Sequence, residues 1–369
     1  RWLNRGEYQP FFSIFNFGLT HESRICAKMK DSLWVDENLE VPVPPYLPDT
    51  EVGRKDIRRM YSNIKEMDAQ VGEILQQLEE DGLLENTIIF WYTDHGGPLP
   101  RMKRLMYDSG LRVPMIIRFP EKQGAGNRDD QLVSFIDFAP TVFSLAGIEP
   151  PDYLDGQAFL GTYKATGERA YIHAAADRFD AQYDTNRGVR DKRFKYIKYY
   201  QPYKPMFLPV KYREQMPIMQ ELHRLREGGQ LTEVQALWFR ETKPEEELFD
   251  VQSDPHEINN LADDPAFRDK LEELRAECQR WVTSFEDTGL IPEKELIEKL
   301  WPGGKAPLTE MPMLEETAGK LVLSCATEGA SIGFKWLDGE AEPKAWQIYT
   351  EPIDIREGAE LKVIADRIG

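Results

Sequence analysis

The chain has 369 residues, 41% of them hydrophobic, and a formal net charge of -18, with a pI near 4.9. That length leaves room for two or three domains with packed cores. The acidity argues against a nucleic-acid surface, so an anion-binding site must rest on local arginine, lysine or metal charge.

Cys26, Cys278 and Cys325 are too far apart to suggest a disulfide framework or a metal-ligand pair. No apolar run reaches membrane-spanning length. The sequence opens at Arg1 rather than Met, and Arg1 to Glu7 reads as the end of a helix. A fragment or processed chain is therefore expected, in which targeting cannot be read.

Pro10 to Phe17 is apolar and aromatic and predicts a buried strand, ending in the polar cluster Gly18-Leu19-Thr20-His21-Glu22. Residues 39–50 are proline-rich and predict an extended surface loop. Ile57, Tyr61, Ile64, Met67, Val71, Ile74, Leu75 and Leu78 recur at helical spacing and predict an amphipathic helix that stops near Asp81-Gly82. Thr87 to Tyr92 is a continuous β-branched and aromatic run, which predicts a buried, parallel strand. It ends in Asp94-His95-Gly96-Gly97. Ligands of open α/β sheets bind beyond the carboxyl ends of the strands. Asp94 and His95 offer a hard oxygen and an imidazole nitrogen suited to a divalent cation, although Asp-His by itself also fits a polar loop. The glycines allow tight backbone geometry beside a ligand.

Lys103 follows, then Tyr107-Asp108-Ser109-Gly110-Leu111-Arg112-Val113-Pro114 and the apolar strand Met115 to Pro120. Here the chain resembles the sulfatase family, within the alkaline-phosphatase superfamily, over most of its first 260 residues. The resemblance implies an α/β fold with a mixed, mostly parallel sheet flanked by helices, followed by a smaller antiparallel-sheet subdomain. It implies one divalent ion per active site, calcium-like, held by Asp94 and His95. Many relatives carry Asn at the His95 position, and imidazole is not calcium's usual ligand, so a place for His95 beside the metal stays open. Lys103 would bridge the nucleophile and a sulfate oxygen. His21 would hold sulfate or protonate the leaving oxygen. Arg112 would brace the turn.

The family's nucleophile is a formylglycine made from Cys or Ser in Cys/Ser-x-Pro-x-Arg. No such string occurs here. That motif and the family's early paired-Asp metal loop are expected upstream of this chain, and the polypeptide alone is expected not to hydrolyse sulfate esters.

Further along, Ser134 to Gly147 predicts a helix with Asp137 as its N-cap. From Ala170 the pattern turns antiparallel, with Asp191-Lys192 at a hairpin and a charged loop over Ala176 to Asp180. Arg178 and Arg187 are candidate contacts to an anionic sugar, with surface ion pairing as the alternative. Glu247-Leu248-Phe249-Asp250 and Asp254-Pro255-His256 match the family's C-terminal subdomain; His256 reads as a turn residue. Cys278 reads as core on a helix from Asp264 to about Phe285. After Trp301-Pro302-Gly303-Gly304, short β runs are spaced as in a small sandwich. Gly329-Ala330-Ser331-Ile332, Trp336-Leu337-Asp338-Gly339 and Pro343 resemble the β domain that follows chitobiase and hexosaminidase catalytic domains.

The expected organisation is 1–165 as part of the α/β catalytic domain, 166–302 as the antiparallel-sheet subdomain, and 303–369 as a β-sandwich accessory domain. The expected function is sulfuric ester hydrolysis on a sulfated carbohydrate, with no nucleic-acid partner and no membrane span. A secreted or periplasmic location is expected from the family. The rivals are a phosphodiesterase or phosphatase of the same superfamily and a non-catalytic glycan-binding relative.

Overall fold

Pro10 to Phe17, expected as a strand, runs without regular structure in the computed structural model, which describes residues 2–6, 9–337 and 345–367. A strand needs a neighbouring backbone to bond with, and this segment pairs with none among the described residues. Phe12 and Ile14 are exposed. Of the expected helix end at Arg1 to Glu7, a single 3-10 turn covers Trp2–Asn4; Arg1 and Glu7 lie outside the described residues, as do Asp338, Gly339 and Pro343.

Short helix α1 (Ser23–Ala27) follows His21 and Glu22. The amphipathic pattern then forms α2 (Glu51–Glu80). The Thr50 hydroxyl accepts the Gly53 N–H at its start, Ile57 and Met67 are buried, and Gly82, at φ +68°, ends it.

Strand β1 (Ile89–Tyr92) pairs antiparallel with β2 (Met115–Arg118), Phe90 opposite Ile117, with the short α3 (Asp108–Leu111) between them. This corrects the expectation of a mostly parallel sheet: every sheet among the described residues is antiparallel. Nor is the strand buried as expected: Ile89 to Trp91 are half-buried and Tyr92 is exposed, so a continuous apolar run fixes neither full burial nor the direction of its neighbour. Before α4 (Phe138–Leu145), Ser134 and Asp137 form a capping box. Asp137 is thus the third residue of that turn, where Arg169 also pairs with it, and Ser134 is the cap.

Strands β3 (Ile172–Phe179), β4 (Gln182–Arg190), β5 (Phe194–Tyr199) and β6 (Glu246–Asp250) form one antiparallel sheet in that order. Asp191 makes the β4–β5 turn by accepting the N–H groups of Arg193 and Phe194 at 2.7 and 2.5 Å. The charged segment expected as a loop is the end of β3, and the chain reverses at Asp180, φ +52°. Helices α5 (Pro217–Glu227) and α6 (Glu233–Ala236) lie between β5 and β6. One core cluster takes Ile25, Leu47, Ile57, Met106, Ile197, Met219 and Phe249. Another seats Leu271, Leu274 and Cys278 of α7 (Arg268–Thr283) on Val189, Tyr196 and Leu248.

These elements form one unit, Arg1–Asp287; a second unit is Thr288–Gly369. The second opens on a 3-10 turn (Thr288–Leu290) and contains α8 (Glu293–Leu300), β7 (Met313–Thr317), β8 (Lys320–Ser324), β9 (Ser331–Leu337), β10 (Gln347–Ile348), β11 (Ile353–Asp354) and β12 (Glu360–Asp366). Its sheets, ordered β10-β9-β12 and β11-β8-β7, share a core of Leu323, Phe334 and Trp336. Among the described residues, no helix is long and apolar enough to cross a membrane.

Candidate active site

The loop after β1 is fixed by backbone bonds. Gly96 N–H donates to the Gly110 carbonyl at 2.8 Å, Gly97 N–H to Ser109 at 3.1 Å, and Lys103 N–H to Gly97 at 3.1 Å. A Cβ on Gly96 would lie 2.0 Å from the Ser109 oxygen, so only glycine permits this approach. Arg101 and Arg104, on either side of Met102-Lys103, hold left-handed backbones at φ +61° and +76°, a strained state for arginine that needs support from its surroundings.

Arg101 supplies that support. Its guanidinium is buried over the rings of Tyr46 and Tyr107, at 4.6 and 4.0 Å. It donates to the carbonyls of His256 and Glu257 at 2.9 and 2.7 Å. Below it, the Lys195 ammonium lies 2.5 Å from Asp108 Oδ1 and 2.9 Å from Glu257 Oε1. Arg190 reaches Asp108 at 3.2 Å. These groups brace the turn, a role expected of Arg112; the Arg112 side chain is instead exposed.

On this frame the Lys103 ammonium lies 3.2 Å from His21 Nε2 and 3.0 Å from Glu22 Oε1. Glu22 is only 2% exposed, and its other oxygen accepts from Arg104 at 2.7 Å. Burial alone would raise the Glu22 pKa; Arg104 and Lys103 outweigh it and hold the carboxyl below its usual range. Burial, then the Lys103 charge, lowers the His21 pKa below 6.5, with Glu22 opposing. His21 is therefore neutral at pH 7. His21 Nδ1 lies 2.9 Å from Ser23 Oγ and accepts the Ser23 backbone N–H at 3.3 Å. Tyr212 stands beside His21, ring centroids 6.1 Å apart.

Asp94 and His95 are adjacent to each other, His95 Nε2 being 3.7 Å from Asp94 Oδ1. His95 Nδ1 bonds the Gly96 carbonyl at 2.8 Å, which leaves Nε2 as its ligating face. His95 is near enough to His21 to act on its pKa. The Asp94 side chain is 89% exposed. Among the described residues no three His, Cys, Asp or Glu side chains gather to hold a metal. Two donors fall short of the six to eight oxygens of calcium, so among the described residues Asp94 and His95 do not make a calcium site by themselves.

Arg178 sits near the tip of the β3–β4 hairpin and donates to the Asp180 carbonyl at 3.1 Å. Arg187 does not serve as a sugar contact. It is 1% exposed, forked onto Asp287 at 2.7 and 2.6 Å and bonded to Asp177 at 2.8 Å. Its inward position on β4 satisfies its charge inside the protein. The Cys278 thiol is buried, which pushes its pKa up to about 11 and leaves it inert at neutral pH.

Residues 1–148 match the family described as Sulfatase, and residues 101–236 match "N-sulphoglucosamine sulphohydrolase, C-terminal". An ulvan-active sulfatase of Formosa agariphila is 49% identical over all of this chain and 68% of its own length. The chain belongs to the sulfatase family. Human N-sulphoglucosamine sulphohydrolase is 28% identical over 72% of the chain and 55% of its own length, so the sulfatase chain spans little more than half of that relative. A crystal structure of a candidate sulfatase from Bacteroides thetaiotaomicron matches 72% of this chain and 57% of its own at TM-score 0.50 and 23% identity, a likeness of fold.

Sequence reasoning missed Glu22, Arg104, Asp180 and Tyr212 in this sulfatase. Glu22 had a readable signal, since a carboxylate directly after His21 needs a cation if buried. Arg104 and Asp180 had none, because their pairing joins positions 76 residues apart.

Proposed function

We propose that the chain recognises the sulfate ester of a sulfated polysaccharide and takes part in its hydrolysis. The observation that carries this reading is the Lys103–His21 contact of 3.2 Å, anchored by a buried carboxylate. The 49% identity to an ulvan-active sulfatase supports the substrate class. In sulfate-ester hydrolysis a nucleophile attacks sulfur, fixed donors hold the sulfate oxygens, and an acid protonates the departing alcohol. Lys103 offers a fixed positive charge for a sulfate oxygen. The Lys103–His21 hydrogen bond holds a proton within reach of the leaving oxygen. Asp94 and His95 offer two donors to a divalent cation that other groups must complete.

Calorimetric titration of the chain with ulvan oligosaccharides, intact and chemically desulfated, tests the reading. Intact oligosaccharide is expected to bind at least about tenfold more tightly, the worth of one or two charge-assisted contacts. Lys103→Met should remove the difference. Equal affinity for the two preparations would overturn sulfate recognition.

A further inference from the structure

The Arg104 guanidinium joins two carboxylates of opposite character. One edge is held from within by Glu22, 2% exposed, at 2.7 Å. The Nε edge meets Asp180, whose side chain is 44% exposed, at the tip of the β3–β4 hairpin. Arg104 follows Lys103 directly, and its left-handed backbone sets the side chain in this place. Arg178 bonds the Asp180 backbone on the same hairpin. In a chain of net charge -18, two adjacent cations thus share a buried counter-ion, while the outer one is closed only by a side chain at the surface.

We infer that Arg104 is a specificity-determining residue that binds a second acidic group of the substrate, a carboxylate or sulfate next to the ester being cleaved, and that Asp180 occupies the place of that group until substrate arrives. The inference rests on the proposed sulfate recognition at Lys103. Glu22 keeps the guanidinium fixed and half-neutralised from below, so exchanging one acidic partner for another does not move it. Asp180 adds selection: a neutral sugar cannot displace it, whereas an anion can. An Arg fork suits either oxyanion.

The test uses the full chain and the same oligosaccharide titration at low salt. Asp180→Asn removes the competing anion and should tighten binding roughly two- to fivefold, the range set by a surface ion pair. Arg104→Gln should weaken it about tenfold or more. Asp180→Asn touches only the exposed partner, so it decides the matter even if Arg104→Gln misfolds. Inorganic sulfate and glucuronate, used as competitors, show which oxyanion the subsite takes, by which of them loses its effect in Arg104→Gln. Affinities of Asp180→Asn and Arg104→Gln within twofold of the parent overturn the inference, as does a chain in which neither the parent nor Asp180→Asn binds. If Lys103→Met abolishes binding and Arg104→Gln does not, the sulfate site stands and this one falls. The reverse pattern leaves Arg104 standing and removes the sulfate assignment.

Discussion

The Lys103 ammonium and the His21 imidazole meet at 3.2 Å although 82 residues separate them along the chain. After burial, Lys103 is the largest of the three charges depressing the His21 pKa, ahead of His95 and Arg104. Lys103→Met should therefore move the His21 midpoint upward, toward 6.5, in a histidine-resolved NMR titration. A midpoint that stays put or falls would show that the two side chains do not interact in solution.

Asp56 predicts a pH dependence of stability. Its carboxylate is buried on α2 and accepts the Ile218 N–H at the start of α5, 2.8 Å away. Burial raises its pKa from 3.8 to about 6, against the hydrogen bond. A raised folded pKa favours the fold below about pH 4, and this contribution is lost as pH climbs through about 6. A shift of that size corresponds to something on the order of 3 kcal/mol. Asp56→Asn keeps an acceptor without the charge and should stabilise the chain at pH 8 but not at pH 4. Urea denaturation at both values checks this; equal effects would contradict it.

Two glycines should respond in opposite directions to alanine. At Gly96 the new Cβ meets the Ser109 oxygen, and the Asp94–Lys103 loop must shift, with loss of oligosaccharide binding. At Gly72, exposed on α2 with open space around it, alanine should add about 1 kcal/mol through helix propensity. Thermal melts of the two variants should move apart.

Arg101→Ala should be among the more damaging single changes. It strands two carbonyls and empties a slot between two tyrosine rings. A cost of roughly 3 kcal/mol is expected, with Arg101→Lys recovering only part, because an ammonium cannot fork. Full recovery by lysine would mean that charge alone matters here.

The sequence has no Cys/Ser-x-Pro-x-Arg string, and the Cys278 thiol is buried and inert. The chain by itself should leave a chromogenic aryl sulfate intact over long incubation. Turnover would require a nucleophile other than the family's.

The local features of the fold were legible because they are written in neighbouring residues. Helix α2 follows from its 3.6-residue apolar spacing, the β4–β5 turn from Asp191, and the sandwich strands from short β runs between turn signals. Strand direction at β1 was not legible, since the same apolar run suits either orientation. At the site, the family resemblance singled out Lys103 and His21, and the structure brings these two side chains to 3.2 Å. Arg187 misled because an arginine near a charged segment looks the same whether it faces solvent or is enclosed by Asp177 and Asp287. Burial of a long charged side chain depends on partners far along the chain, which no local pattern encodes.

The clasp of Arg101 on His256 and Glu257 spans 155 and 156 residues. Any attempt to pare the protein to a minimal reactive piece must therefore run past residue 257, even though every proposed reactive side chain lies before 105. A shorter piece would keep the functional groups and lose the mould that aims them.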